Sequence, residues 1–103
     1  MIARMWSART THEQAPRYAA YLSTHVFAEL RALEGYERAE LLQREADGGV
    51  EVQVVTYWRS LDAIRAFAGD DVEAAVVTDM AAAMLRDYDR RVRHYEIVLT
   101  ADR

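Results

Sequence analysis

The chain has 103 residues, of which 51% are hydrophobic and 29% are charged, the size and balance of a single globular domain. It contains no Cys and no Lys, which excludes disulfides, thiolate nucleophiles, Cys-ligated metals, lysine Schiff bases and a P-loop. All 13 basic residues are Arg, and against 17 acidic residues they leave a net charge of −4, which argues against non-specific nucleic-acid binding because that requires clustered positive charge.

The first two predicted elements are a strand and a long helix. Residues 2–8 form a short run in which both alternating sets include apolar side chains, typical of a strand covered on both faces. Thr11 and Gln14 have the spacing of a capping box, so we expect a helix from about residues 12–16 to about residue 33. Its inward-facing stripe is predicted to contain Tyr18, Leu22, His25 or Val26, and Leu30.

A β-hairpin is predicted next, because residues 36–46 and 50–58 are strand-like and the Asp-Gly-Gly sequence between them tolerates positive φ. The first of these strands is rich in charge, which suits an edge, whereas the second is rich in Val, which suits the middle of a sheet. Ser60 then caps a short helix that ends at Gly69, and a further helix is predicted to begin at Thr78. The inward-facing residues of these two helical pieces are predicted to be Ile64, Phe67, Met80, Met84, Leu85 and Tyr88.

A final strand over residues 92–99 completes the order β-α-β-β-α-β, that of a ferredoxin-like α+β fold with a broken second helix. Such a fold has a four-stranded antiparallel sheet covered by helices on one face only. The strands are apolar in both alternating sets, so we expect the open face to be apolar and to form a homodimer, sheet against sheet. No apolar run reaches the length of a membrane span and the N-terminus lacks a signal-peptide core, so we expect a single cytoplasmic domain, residues 1–103, without membrane contact.

Histidine is the side chain best suited to proton transfer near neutral pH, and the chain has three. His12 lies at the start of the predicted helix and is expected to be solvated. His25 is predicted to lie between helix and sheet, and His94 lies in the last strand, pointing either into the helix–sheet space or into the dimer interface; each is either a hydrogen-bonded core residue or a candidate general base. No two His residues have the i, i+4 spacing of a helical metal site and there is no Cys, so no metal site is predicted.

Aromatic residues and one arginine are the other candidates for a ligand site. Trp58 lies at the end of a predicted strand, where its indole is either core or the wall and N–H donor of a pocket for a flat ligand. Arg4 alternates with Trp6 in the first strand, so we expect its charge either to face inward or the dimer interface, or to form a salt bridge with an acid of a strand. The inward-facing residues predicted to line such a pocket are Trp6, Tyr18, Leu22, Phe67, Met84 and Tyr88.

Three segments together resemble a known family: residues 1–6 (MIARMW), residues 56–76 (TYWRSLDAIRAFAGDDVEAAV) and residues 92–96 (VRHYE). They are similar to the antibiotic biosynthesis monooxygenases of the dimeric α+β barrel superfamily. The resemblance implies a homodimeric α+β barrel that oxidises an electron-rich aromatic or polyketide-like small molecule with O2 and without a cofactor. It also implies His94 or His25 as the base, Trp58 as a wall of the pocket and Arg4 as a stabiliser of negative charge.

Two departures from the family pattern bear on the activity. The quinone-forming and the haem-degrading members are similar in using an Asn in the pocket, and this chain has no Asn. The Tyr that the oxygenases carry shortly after the strand-three Trp is replaced by Ile64. The absence of Asn disfavours haem degradation, so no cofactor is predicted. The alternative to a cofactor-independent monooxygenase is a non-catalytic dimer that binds a small hydrophobic ligand.

Overall fold

The computed structural model describes residues 1–103 as an antiparallel sheet with helices packed on one face. In chain order the elements are β1 (Ile2–Thr10), α1 (Ala15–Tyr21), a π-helical turn (Leu22–Val26), α2 (Phe27–Leu30), β2 (Tyr36–Ala46), β3 (Gly49–Trp58), α3 (Leu61–Ala68), α4 (Asp79–Ala83), β4 (Asp87–Tyr88) and β5 (Arg93–Glu96). The strands pair in the order β2-β3-β1, and β4 and β5 both pair with the other edge of β1. The predicted ferredoxin-like α+β fold is confirmed, with its fourth strand divided into β4 and β5.

The register of the sheet is set at the β2–β3 hairpin. Asp47 and Gly48 join the two strands, and both have positive φ (48° and 75°), as a two-residue turn of this kind requires. From this turn β3 pairs along its length with β2 on one side and β1 on the other. The Val-rich strand therefore occupies the interior of the sheet and the charged strand its edge, as predicted.

The first helix departs from the predicted stripe because of its π-helical turn. The backbone N–H of Phe27 bonds to the carbonyl of Leu22, five residues back, so one more residue than in an α-helix fits into that turn. Leu22 and Leu30 remain buried, but His25 points outward and is exposed. The prediction that His25 lies between helix and sheet is therefore wrong.

The last part of the chain forms less helix and less strand than predicted. α4 ends at Ala83, and Tyr88 lies in β4, so the predicted helical face running to Tyr88 is wrong. The helix ends early because the next residues form hydrogen bonds with the free edge of β1. The Thr10 hydroxyl donates to the Met84 carbonyl at 2.6 Å, and the Arg86 N–H donates to the Arg9 carbonyl at 2.7 Å. These bonds draw the chain out of the helix and along the sheet edge.

The two faces of the sheet differ in polarity. The helix-facing side holds the core, which includes Ala8, Val50, Val52 and Trp58. The other face, which we call the outer face, has both apolar and polar side chains at its centre. This face carries Ala3, Met5, Val55, Tyr57 and Tyr95 together with Ser7, Glu51, Gln53 and Arg93. It is therefore less uniformly apolar than predicted. No helix has the length and hydropathy needed to cross a bilayer.

Candidate functional site

A cavity of about 120 Å³ lies between the helices and the inner face of the sheet. Its floor is formed by side chains of β1 and β3, and one wall by the helical segment around the π-helical turn. The segment 70–78, which joins α3 to α4 and which we call the roof segment, contributes Val76, Val77 and Thr78. Twelve of the sixteen lining residues are hydrophobic, so the cavity suits a largely apolar ligand.

The cavity follows from the strand register and the helix irregularity. Arg4 lies opposite Thr56 and Trp6 opposite Val54, so two long side chains of β1 face two short ones of β3. The side chains of Leu22 and Val26, at the two ends of the π-helical turn, close the space from above the sheet. Turns of this kind within α-helices occur often at functional sites.

Arg4 is the most unusual side chain in the cavity, because its charge is buried without a carboxylate. The residue is 4% exposed, and it takes part in no ion pair. Its Nη1 donates to the Val72 carbonyl and to His94 Nε2 (3.0 Å), and its Nη2 donates to the Ala74 carbonyl (2.8 Å). Burial lowers the pKa of Arg4 to about 10, so the guanidinium is still charged at neutral pH.

Part of the Arg4 guanidinium faces open space. The three hydrogen bonds of Arg4 use Nη1 and Nη2, and Nε makes none. Every fully enclosed polar side-chain atom in the protein has a hydrogen-bond partner. The Nε–H of Arg4 is therefore not fully enclosed, and Arg4 is one of the residues that line the cavity.

The same reasoning applies to Tyr18, which is 1% exposed and lines the cavity from α1. Its hydroxyl takes part in no hydrogen bond within the protein, and because no fully enclosed polar atom lacks a partner, this hydroxyl is not fully enclosed. Burial, and to a smaller extent the neighbouring Tyr21, raises the pKa of Tyr18. The group therefore stays a neutral O–H donor near neutral pH.

His94 is next to Arg4 but does not line the cavity. A guanidinium has no acceptor, so Nε2 of His94 must accept the Arg4 hydrogen bond and the ring proton must lie on Nδ1. Burial lowers the pKa of His94, the Arg4 charge lowers it further, and Glu73 opposes both effects. The basic nitrogen of the neutral ring is therefore already hydrogen-bonded to Arg4.

The structure places four of the six residues predicted to bind substrate around the cavity: Trp6, Tyr18, Leu22 and Phe67. The indole N–H of Trp6 is bonded to the Asp89 carbonyl at 2.6 Å, so the ring presents carbon surface to a ligand. Phe67 lies with its ring 5.6 Å from the Arg4 guanidinium carbon. These two aromatic rings and Arg4 provide both flat surface and positive charge.

The other predicted site residues lie elsewhere. Trp58 is fully buried behind the cavity, stacked at 6.1 Å on Phe67, and its N–H donates to the Thr56 hydroxyl at 2.8 Å. It is therefore a core residue and not a pocket wall. Met84 and Tyr88 also lie outside the cavity, because the chain leaves the helix before them and Tyr88 packs on Trp6 at 6.0 Å.

His25 lies outside the cavity as well. It is exposed on the π-helical turn, stacked on Tyr21 at a ring distance of 5.1 Å and hydrogen-bonded through Nδ1 to the Thr24 hydroxyl at 2.8 Å. Val26, the alternative to His25 in the predicted inward-facing stripe, lines the cavity, whereas Thr56 and the roof segment line it without having been predicted to. Thr56 could have been predicted, because it lies two residues before Trp58 and therefore on the same face of the strand. The roof segment has no sequence periodicity from which its position over the cavity could have been predicted.

The sequence profile of the antibiotic biosynthesis monooxygenase (ABM) family matches residues 1–79 of this chain. The chain belongs to the ABM family. The matched range contains the two strands of the cavity floor, the helical wall and the whole roof segment, whereas Ala81 and Val92, which also line the cavity, lie beyond it. No curated protein matches the chain.

Solved structures show the same fold at low sequence identity. A Deinococcus radiodurans protein provisionally assigned as an antibiotic biosynthesis monooxygenase is 14% identical, with 99% of this chain and 97% of that one covered and a TM-score of 0.69. The haem degrader MhuD from Mycobacterium tuberculosis, solved with two haems in its active site, is 19% identical over 99% of this chain and 100% of that one, with a TM-score of 0.63. Rv0793 from the same organism is 19% identical, with 98% of each chain covered and a TM-score of 0.62.

The cavity of this ABM protein does not suit a haem. Of the side chains that commonly ligate haem iron, which are His, Cys, Met and Tyr, only Tyr18 lines it. The cavity volume of about 120 Å³ is also well below the roughly 300 Å³ at which pockets for drug-sized ligands begin. No haem-dependent step is therefore assigned to this chain.

Proposed function

We propose that this ABM protein is a cofactor-independent monooxygenase that oxidises a small electron-rich aromatic molecule with O2. The observation that carries the proposal is the Arg4 charge, which is buried in an apolar cavity without a carboxylate partner. Uncatalysed reaction of an aromatic with O2 is slow until the aromatic becomes an anion that can give up an electron. A fixed cation in a low-dielectric cavity stabilises that anion more strongly than water-exposed charge does.

The oxidation consists of four steps in which atoms and electrons balance. The aromatic loses a proton from an acidic O–H or C–H, and the resulting anion gives one electron to O2, forming a substrate radical and superoxide. The two radicals combine in a new carbon–oxygen bond, and the peroxide anion takes up a proton. Loss of water, which removes the second hydrogen from the same carbon, leaves a carbonyl. One oxygen atom of O2 thus enters the product and the other leaves as water.

The residues have distinct roles in this scheme. Arg4 stabilises the substrate anion and the peroxide anion, while Trp6 and Phe67 hold the ring flat. Of the two predicted bases, His25 is exposed outside the cavity. His94 is hydrogen-bonded to Arg4, the proposed anion site. Because the basic nitrogen of His94 is bonded to Arg4, the substrate proton is proposed to leave to water at the cavity mouth.

Oxygen uptake tests the proposal. The protein is incubated with a panel of hydroxy-aromatics, from phenols and naphthols to anthrone, and O2 consumption is followed together with product mass. The expected product has gained one oxygen and lost two hydrogens, and Arg4→Met is expected to lose most of the activity while His25→Ala keeps it. No uptake over the whole panel, or full activity in Arg4→Met, would contradict the proposal.

A second candidate function is non-catalytic binding of a small aromatic ligand. The observation that favours it is that none of the three His residues, the side chains best suited to take a proton near neutral pH, lines the cavity. The two functions differ in one measurement: a non-catalytic protein is stabilised against heat by the aromatic ligand in proportion to its occupancy but consumes no O2.

We also propose that the protein is a homodimer joined through the outer face of the sheet. Supporting this are the half-buried side chains of Met5 and Tyr57 on that face and the exposure of Tyr95 on β5 (49%). The chain beyond β5 adds Val98 and Leu99, which are 87% and 83% exposed. Apolar surface of this kind is expected to be covered by a partner copy.

A further inference from the structure

We propose that Glu29 is the general base of the oxidation, and that its carboxylate takes the proton that leaves the substrate at the cavity mouth, through one water, and returns it to the peroxide. This inference rests on the proposed function, because it assigns the proton transfers of the same four-step oxidation. The first of these transfers needs no O2, so it can be measured separately from the oxygenase activity.

The mouth of the cavity lies between α2 and the end of the roof segment. Three of the lining residues are exposed and so mark where the cavity opens: Glu29, Val76 and Thr78. Val76 is apolar, and the Thr78 hydroxyl is bonded to the Tyr21 hydroxyl at 2.6 Å and accepts from the Ala81 N–H at 3.1 Å. The carboxylate of Glu29 is therefore the charged group that the mouth offers to a ligand or to water.

Glu29 is also the one proton acceptor among the titratable residues that line the cavity, which are Arg4, Tyr18 and Glu29. A guanidinium has no acceptor atom, and burial raises the pKa of Tyr18, so that hydroxyl stays protonated near neutral pH. No His lines the cavity, and the basic nitrogen of His94 is hydrogen-bonded to Arg4. Among the side chains of the cavity, the base can therefore only be Glu29.

Arg4 and Glu29 place opposite charges at different depths of the cavity. Arg4 is 4% exposed, whereas Glu29 is exposed, and neither takes part in an ion pair with the other or with any other residue. Each charge is therefore available to the reaction. The proton moves outward to the carboxylate while the negative charge that it leaves behind is stabilised by the buried cation, so both charges favour the first step.

The π-helical turn sets the direction of Glu29. In a continuous α-helix Glu29, seven residues after Leu22, would lie on nearly the same side as Leu22 and face the core. The extra residue in the turn rotates α2 by about 100° relative to such a helix. Leu30 is buried as a result, and Glu29 is turned to the side, where it both lines the cavity and reaches solvent.

One carboxylate accounts for every proton transfer of the oxidation. It takes the first proton from the O–H or C–H of the substrate, and the carboxylic acid so formed returns that proton to the peroxide anion. In the last step the carboxylate takes the second hydrogen of the same carbon as a proton, the carbonyl forms and the O–O bond breaks. The departing hydroxide takes that proton and leaves as water, so Glu29 ends the cycle ionised, as it began.

The test follows the first proton transfer alone, in D2O and without O2, as exchange of the acidic C–H hydrogens of 2-indanone for deuterium. Mass spectrometry measures the exchange rate, and the rate in buffer without protein is subtracted. A positioned general base contributes about 10²–10⁴-fold, so Glu29→Gln is expected to slow the exchange about 100-fold or more. Glu29→Asp keeps a carboxylate and is expected to exchange faster than Glu29→Gln, and added formate is expected to restore part of the exchange in Glu29→Gln.

Glu34→Gln is the matched control. Glu34 is exposed and takes part in no ion pair, as Glu29 does, but it does not line the cavity. Its exchange rate is expected to equal that of the wild-type protein. Because both residues are exposed, both variants are expected to unfold at the wild-type temperature, which shows that a lost exchange rate is not a lost fold.

The outcomes separate this proposal from the oxygenase. Exchange that is lost in Glu29→Gln, together with no O2 uptake by the wild-type protein on any hydroxy-aromatic, supports Glu29 as the base and rejects the oxygenase. O2 uptake at the full rate in Glu29→Gln keeps the oxygenase and overturns Glu29 as its base. Wild-type exchange no faster than in buffer, or equal exchange in the wild-type protein and Glu29→Gln, would also overturn the proposal.

Discussion

The two tryptophans show how residues of one type, both facing inward from strands, take different roles. Trp58 is fully buried and its N–H is bonded to Thr56, whereas Trp6 is half-buried and lines the cavity. We expect Trp58→Phe to lower the free energy of unfolding by about 2 kcal/mol, through a small void and a lost hydrogen bond, and to leave ligand binding unchanged.

Trp6→Phe is the matched variant. It is expected to weaken binding of 4-nitrophenolate several-fold with a smaller loss of stability, because its ring is part of the cavity wall. Urea unfolding and a binding titration on both variants measure the two effects. If the folded Trp58→Phe variant lost ligand binding while Trp6→Phe kept it, Trp58 and not Trp6 would be the residue that contacts the ligand.

His94 makes stability depend on pH in a defined direction. Its pKa in the folded protein is lowered from the ordinary 6.5, first by burial and then by Arg4, so the unfolded chain binds more protons near that pH. The free energy of unfolding should therefore fall as pH drops through the unfolded-state value, and the loss should level off once pH is below the folded-state pKa. His94→Gln, which keeps an acceptor for Arg4 but does not titrate, is expected to flatten this fall. Urea unfolding of the wild-type protein and of His94→Gln between about pH 8 and pH 5 measures this fall in the free energy of unfolding. Identical pH profiles for the two proteins would contradict the role given to His94.

At the scale of elements, glycine positions test how closely α3 approaches the start of β2. Gly35 has φ +89°, and a Cβ built on it would lie 2.5 Å from the Cβ of Ala63. Gly48, in the hairpin turn, has φ +75° but nothing within 4 Å of such a Cβ. Both substitutions to Ala carry the backbone strain of a left-handed residue, about 1 kcal/mol, and only Gly35→Ala adds a clash, for a total of about 2–4 kcal/mol.

Thermal or urea unfolding of the two variants measures this difference directly. Gly48→Ala serves as the control for strain alone. Equal losses of stability in Gly35→Ala and Gly48→Ala would show that α3 does not pack against the start of β2 as closely as described.

The elements also show what a sequence can and cannot predict here. The hairpin was predictable because Asp47 and Gly48 favour the positive φ that its turn needs, and the edge and central strands followed from charge and Val content. The π-helical turn was not, because an extra residue within a helix leaves the apolar spacing ambiguous, and this misplaced His25. The early end of α4 depends on hydrogen bonds to Thr10 and Arg9, which are distant in sequence.

The candidate site was predictable only in part, for a related reason. The inward direction of Arg4 and Trp6 follows from strand alternation, and that of Tyr18 from helical spacing. That the Arg4 charge has no carboxylate partner depends on the path of the roof segment, which has no periodicity. Phe67 on α3 both stacks on Trp58 and lines the cavity, so Trp58, a large aromatic at a strand end, is part of the core instead of the cavity wall.

At the scale of the whole molecule, the outer face of the sheet is proposed to join two copies. Tyr95→Glu places a charge on that face and is expected to convert the dimer to a monomer in sedimentation at micromolar concentration. Met80→Glu is the control, since Met80 is similarly exposed (57%) but lies on α4, away from that face. A monomeric wild-type protein, or dissociation by the Met80 variant alone, would contradict the proposed interface.

The most direct test of the account is a crystal structure of the protein with 4-bromophenol, whose bromine is located by its anomalous scattering. The ring is expected in the cavity between Trp6 and Phe67, with the phenol oxygen within hydrogen-bond distance of the Arg4 guanidinium. A ring bound elsewhere, or one in the cavity with its oxygen turned away from Arg4, would contradict the claim that this buried charge is the anion site of the protein.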